Sequence, residues 1–107
     1  MTHDASPEAL LDDAAGHLQA AADFAEARGG SDVFSEWHGL AGQISLTASG
    51  VSHFPAVPAQ PPASISEGLT AAIDTLECIA PLSGPPDLVL WIWHVRELLR
   101  LALEMGQ

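Results

Sequence analysis

The chain has no lysine and no tyrosine, one cysteine and three arginines. Each shortage excludes something. With only Arg28, Arg96 and Arg100 against 14 acidic residues, the net charge is −11. Such a chain repels nucleic-acid phosphates and anionic membrane surfaces, so neither is expected as a partner. A single Cys78 rules out an internal disulfide framework and fits a reducing, cytoplasmic setting. Met1-Thr2-His3-Asp4 lacks a basic, then apolar, leader. The longest apolar run, Leu88 to Val95, is too short to span a bilayer as a helix.

What remains is sufficient for a core. Hydrophobic residues make up 48% of 107 positions and charged residues 16%, which is a folding composition rather than a disordered one. One domain over 1–107 is expected.

Periodicity predicts four helices, over about 7–28, 32–49, 65–80 and 86–105. Ser6-Pro7-Glu8 starts the first, with a capping serine, a proline at the first helical position and an acid at the positive end of the dipole. Leu11, Ala14, Leu18, Ala21 and Ala25 form its inner stripe, and Gly29-Gly30 ends it. Ser31 or Asp32 opens the second, whose expected inner face is Val33, Trp37, Leu40, Ile44 and Thr47. Gly39 and Gly42 weaken it, and Gln43 to Ala48 also alternates like a strand.

Residues 50–63 read as a linker, with Pro55, Pro58, Pro61 and Pro62 favouring extended backbone. Ser64-Ile65-Ser66-Glu67 is a capping box for the third helix. Leu69, Ile73, Leu76 and Ala80 follow as its inner stripe, and Pro81 stops it. Ser83 to Asp87 forms the turn into the fourth. Cys78 is expected to be small and partly buried. The predicted fold is all-α: a four-helix bundle of two antiparallel helical hairpins joined by the Pro-rich linker. Leu18–Glu26 aligns with Leu69–Glu77, and Trp37-His38 with Trp93-His94, which suggests a duplicated hairpin.

The fourth helix carries more apolar surface than one core can use. Leu88, Trp91, Ile92, Val95, Leu98, Leu99 and Ala102 face inward, yet Trp93 lies about 200° from Trp91 on the helical wheel. Either a partner covers the excess, or Val51, Phe54 and Val57 of the linker fold back over it. The leading expectation is a non-catalytic interaction module, a homodimer or a complex with another protein, using Val89, Trp91, Trp93, Arg96 and Arg100.

A second possibility is a bundle that binds a small ligand or metal, with Trp37, His38 and His94 lining the cavity. His17, His38 and His94 on three helices resemble the histidine triad of the DinB-type bundles, which implies a metal-dependent enzyme. The paired histidine of that family, one turn after His94, is replaced here by Leu98. Asp23 and Asp74 lie away from the apolar stripes, so no metal ligands or cofactor are assigned. Trp37-His38-Gly39 resembles the W-x-G turn of secreted helical hairpins. The Gly29-Gly30 turn precedes it, and the tyrosine-based secretion signature of those proteins is absent. A third possibility is an acidic inhibitor that masks a basic protein. No residue is placed as a catalytic nucleophile.

Overall fold

The computed structural model describes residues 6–52, 59–80 and 84–106. Among these the chain is all-helical: α1 (Pro7–Gly29), α2 (Glu36–Val51), α3 (Ile65–Glu77) and α4 (Leu88–Glu104). None is long and apolar enough to cross a membrane.

The expected helix starts for α1 and α3 are formed by local hydrogen bonds. The Ala9 N–H donates to Ser6 Oγ at 3.2 Å, and Pro7 occupies the first turn. The Glu67 N–H donates to Ser64 Oγ at 3.1 Å. α1 ends at Gly30, whose φ of +58° is a left-handed conformation suited to glycine.

Three boundaries differ from expectation. α2 begins at Glu36, not at residue 32. The Asp32 carboxylate accepts from the Phe34 N–H at 3.0 Å and holds 31–35 in a turn. Ser35 then caps the helix by accepting from the Trp37 N–H at 3.3 Å. Val33, expected inside, is therefore exposed. α2 also continues through Gly50 and Val51, which were assigned to the linker, and Val51 is buried in the core. The strand-like Gln43–Ala48 segment is helical. α3 stops at Glu77 rather than residue 80. The Cys78 and Ile79 N–H groups donate to the Thr75 and Leu76 carbonyls, a tightened last turn. This leaves Cys78 exposed, not partly buried. α4 is one or two residues shorter at each end than the expected 86–105. The proposed stop at Pro81 lies outside the described residues.

The packing is that of a helical bundle. α1 packs on both α2 and α3, α4 packs on α3, and α4 meets α2 more sparsely. The α1 and α4 backbones do not come close to each other, nor do those of α2 and α3, so these are the diagonals. Composition explains the central place of α1. Ala14, Ala15, Gly16, Leu18, Ala20, Ala21, Ala22 and Ala25 are all buried, so α1 is covered on two sides and both neighbours come close. A Cβ added to Gly68 of α3 would lie 3.0 Å from the Ala21 Cβ. The core is completed by Leu40 and Ile44 from α2, Leu69, Ile73 and Leu76 from α3, and Val95, Leu98 and Ala102 from α4.

The end of the Pro-rich segment lies against α1 and α3. The Ala59 N–H donates to the Gly16 carbonyl at 3.1 Å, and Pro61 and Pro62 border a cleft with His17 and Gly68. These residues do not cover α4. Phe54 and Val57, expected as an alternative cover for α4, lie outside the described residues.

Candidate functional site: an apolar groove along α2 and α4

The sparse contact between α2 and α4 leaves a groove. One stretch, of about 360 Å³, is lined by Gln43, Leu46, Thr47, Trp91 and His94. The next, of about 430 Å³, is lined by Asp87, Leu90, Trp91, Trp93 and His94. They share Trp91 and His94 and so adjoin each other: the first lies between α2 and α4, and the second is lined by α4 and its cap residue alone. Their apolar lining is well exposed: Leu46 by 74%, Leu90 by 65% and Trp93 by 61%.

Helical geometry places these side chains. Val95, Leu98 and Ala102 mark the core line of α4. At 100° per residue, Trp93 lies about 180° from that line and points straight away from the bundle. Trp91 lies beside the core line, against α2, and is half-buried. It fits there because α2 carries a glycine opposite. A Cβ at Gly50 would lie 2.5 Å from Trp91 Cη2. Gly50→Ala is therefore expected to push the indole outward into the groove, costing about 1–3 kcal/mol as an overpacked contact. Tryptophan fluorescence should shift to the red and the urea midpoint should fall.

The seam is also nearly free of charge, unlike the rest of the chain. α2 carries no Asp, Glu, Lys or Arg from Trp37 to Val51, and α4 carries none from Leu88 to Val95. Beyond that, Arg96 and Arg100 balance Glu97 and Glu104. The acids sit elsewhere. Glu8, Asp12, Asp13, Asp23 and Glu26 are on α1, and Glu67, Asp74 and Glu77 are on α3. α1 and α3 thus carry most of the acids, whereas α2 and α4 carry few, among them Asp87 at the edge of the depression.

The expected interaction residues are divided by the structure. Trp91 and Trp93 come together at the depression, whereas Val89 is exposed and lines neither stretch of it. Arg96 turns toward α3 and pairs with Glu77 at 3.0 Å. Arg100 pairs along its own helix with Glu97 at 3.1 Å and Glu104 at 2.7 Å. The Glu97 hydrogen bond, followed by the charges of Glu104 and Glu97, raises the Arg100 pKa above its ordinary value. All three pairs are exposed and contribute little to stability.

The three expected ligand-binding residues are not gathered at one place. His94 lines the groove, whereas Trp37 and His38 lie in the first turn of α2, beside the α1–α2 turn, and line neither stretch of it. His38 Nε2 lies 3.0 Å from the Gly30 carbonyl oxygen, and the Arg28 guanidinium stacks over the Trp37 ring at 5.4 Å. Both contacts hold the turn together. Among the described residues, no group of three or more His, Cys, Asp or Glu side chains is placed to hold a metal ion.

Leu46 was missed from the sequence as the facing wall of the groove. Its signal was an apolar residue off the Leu40-Ile44-Thr47 stripe, which acquires meaning only once α4 is known to lie beside α2. Phe34 was also missed. It is 93% exposed at the tip of the α1–α2 turn. No protein family, curated protein or solved structure matches the chain.

Proposed function

We propose that this protein is a non-catalytic interaction module that self-associates through its α2–α4 face. The observation that carries the proposal is the separation of charge from apolar surface. A chain of net charge −11 keeps most of its acids off one stretch of surface and places Leu46, Leu90, Trp91 and Trp93 there, with Asp87 as the one acid at its edge. Two copies can join these sides while their acidic α1–α3 sides point apart. Exposed tryptophans in a desolvated patch are the usual energetic anchors of such contacts.

The scaffold we read as two antiparallel hairpins, α1–α2 and α3–α4, joined by the Pro-rich segment. Two contacts support it. Ser52 Oγ, after α2, donates to Asp12 near the start of α1 at 2.5 Å, and Arg96 of α4 reaches Glu77 at the end of α3. The proposed setting is a reducing cytoplasm, on the strength of a single exposed cysteine.

Ionic strength separates this proposal from the alternatives. Two anionic copies repel over roughly 10 Å at 0.1 M salt. Raising salt should therefore tighten self-association several-fold, read as a falling dissociation constant in sedimentation velocity. An inhibitor of a basic protein would show the reverse, with binding that weakens in salt. A bundle that holds an apolar ligand would stay monomeric, and added ligand would quench its tryptophan fluorescence.

A further inference from the structure

On the opposite side of the bundle from the α2–α4 groove, α1 and α3 border a cleft of about 340 Å³, with residues 59–62 as its third wall. We propose that this cleft binds a small aliphatic amine in its protonated form. Glu67, His17 and Gln60 accept hydrogen bonds from the ammonium head, and the alkyl chain lies on the alanine, glycine and proline surface between them.

The walls are fixed by contacts of the chain itself. The Ala59 N–H donates to the Gly16 carbonyl at 3.1 Å and ties the third wall to α1. Pro62 closes against α3 at Gly68, where a Cβ would lie 3.3 Å from Pro62 Cγ and 3.0 Å from Ala21 Cβ. The glycine therefore lets α1, α3 and the proline segment meet and form a floor. That floor is small and apolar, through Ala20, Ala71, Pro61 and Pro62. A volume of about 340 Å³ is near the lower end of ligand pockets, which suits a short alkyl chain.

The polar groups of the lining come one from each wall: His17 from α1, Gln60 from the proline segment and Glu67 from α3. Among the described residues, none of these three side chains makes a hydrogen bond or an ion pair, and only the backbone N–H of Glu67 is engaged, by Ser64. All three can accept, through a carboxylate, an amide oxygen and the bare nitrogen of a neutral imidazole. A primary ammonium carries three donors and no acceptor, which matches that set.

The same lining excludes other ligands. None of the three arginines borders the cleft, so a carboxylate or phosphate would meet Glu67 with no cation to hold it. The positive end of the α3 dipole carries about half a unit charge, which one carboxylate outweighs. No aromatic ring lines the cleft, so it offers no cage for a quaternary ammonium. His17 and Glu67 alone are too few to hold a metal ion.

Amide-resolved NMR of the isotope-labelled full chain tests the site. The probes share one carbon chain: n-pentylammonium, n-pentanol and pentanoate, each titrated at the same ionic strength. n-Pentylammonium should shift the signals of His17, Ala20, Gly68 and Ala71 to saturation. n-Pentanol should bind several-fold more weakly, and pentanoate should leave these signals in place. Glu67→Gln keeps the backbone bond to Ser64 and should weaken n-pentylammonium about fivefold, the scale of a well-placed exposed ion pair. His17→Leu removes a neutral acceptor and should weaken it several-fold. Asp74→Asn takes the same charge from α3 outside the cleft and should change nothing. Equal losses in Asp74→Asn and Glu67→Gln would mean that overall charge holds the amine, and would overturn the proposal. Equal affinity for n-pentanol would overturn it too, leaving an apolar hollow without amine recognition. Absence of saturable shifts at the cleft would remove the site altogether. The α2–α4 face plays no part in this binding, so Trp93→Glu should show the same shifts whether or not the chain self-associates.

Discussion

Replacing Trp93 with glutamate should leave the fold intact and abolish self-association. Trp93 makes no part of the buried core, so circular dichroism and the thermal midpoint of the dilute protein should change little. At an interface, however, the same substitution loses a large aromatic anchor and buries a carboxylate. Losses of 2 kcal/mol or more are typical of such anchors, which corresponds to at least about 30-fold weaker dimerisation. Sedimentation at matched concentrations reads the effect directly. Phe34→Glu is the control: it places the same charge on an exposed aromatic outside the groove and should leave dimerisation unchanged. Loss of the fold in Trp93→Glu, or an unaltered dissociation constant, would remove Trp93 from the interface.

The second large effect concerns the core. The buried face of α1 is mostly alanine, and Leu18 is the one large side chain that the helix buries completely. Truncating it would leave a cavity at the centre of the bundle, where α2 and α3 both lean on α1. Leu18→Ala should cost about 2–5 kcal/mol. Domains of this size have roughly 5–15 kcal/mol of stability in all. The melting temperature should fall by at least about 8 °C, at about 4–8 °C per kcal/mol. The measurement belongs in the Trp93→Glu background, so that dimerisation adds nothing to apparent stability. A shift within a degree or two would mean that α1 does not sit between its two neighbours.

Much of the fold was legible because its signals are local. Ser6-Pro7, Gly30 and the Ser64 capping box act within one turn of backbone, and each lies where the sequence placed it. The start of α2 was not legible. Ser31, Asp32 and Ser35 are all competent caps, and the choice among them depends on contacts from α1. Arg28 over Trp37 and His38 against Gly30 fix α2 one turn later than residue 32. The end of α3 was missed because two 3₁₀-type hydrogen bonds close the helix before Pro81 acts.

The candidate site was half legible. The 3.6-residue period separates Trp91 from Trp93 on α4 without any structure. What it lacks is the neighbour of α4, and so Leu46 and Gly50 went unnoticed. Arg96 and Arg100 looked like interface cations, but Glu77 of the neighbouring α3 already pairs with Arg96, and Glu97 and Glu104 at helical spacing already pair with Arg100. His38 and His94 looked like companions because each follows a tryptophan. The first serves a turn and the second lines a groove, a difference that only tertiary packing decides.

Sedimentation equilibrium of the unsubstituted full chain, over a wide range of concentration and under reducing conditions, tests the central claim most directly. Self-association through the α2–α4 face predicts a reversible monomer–dimer equilibrium, with dimer favoured as concentration and salt rise. A single species at the monomer mass throughout that range would contradict it.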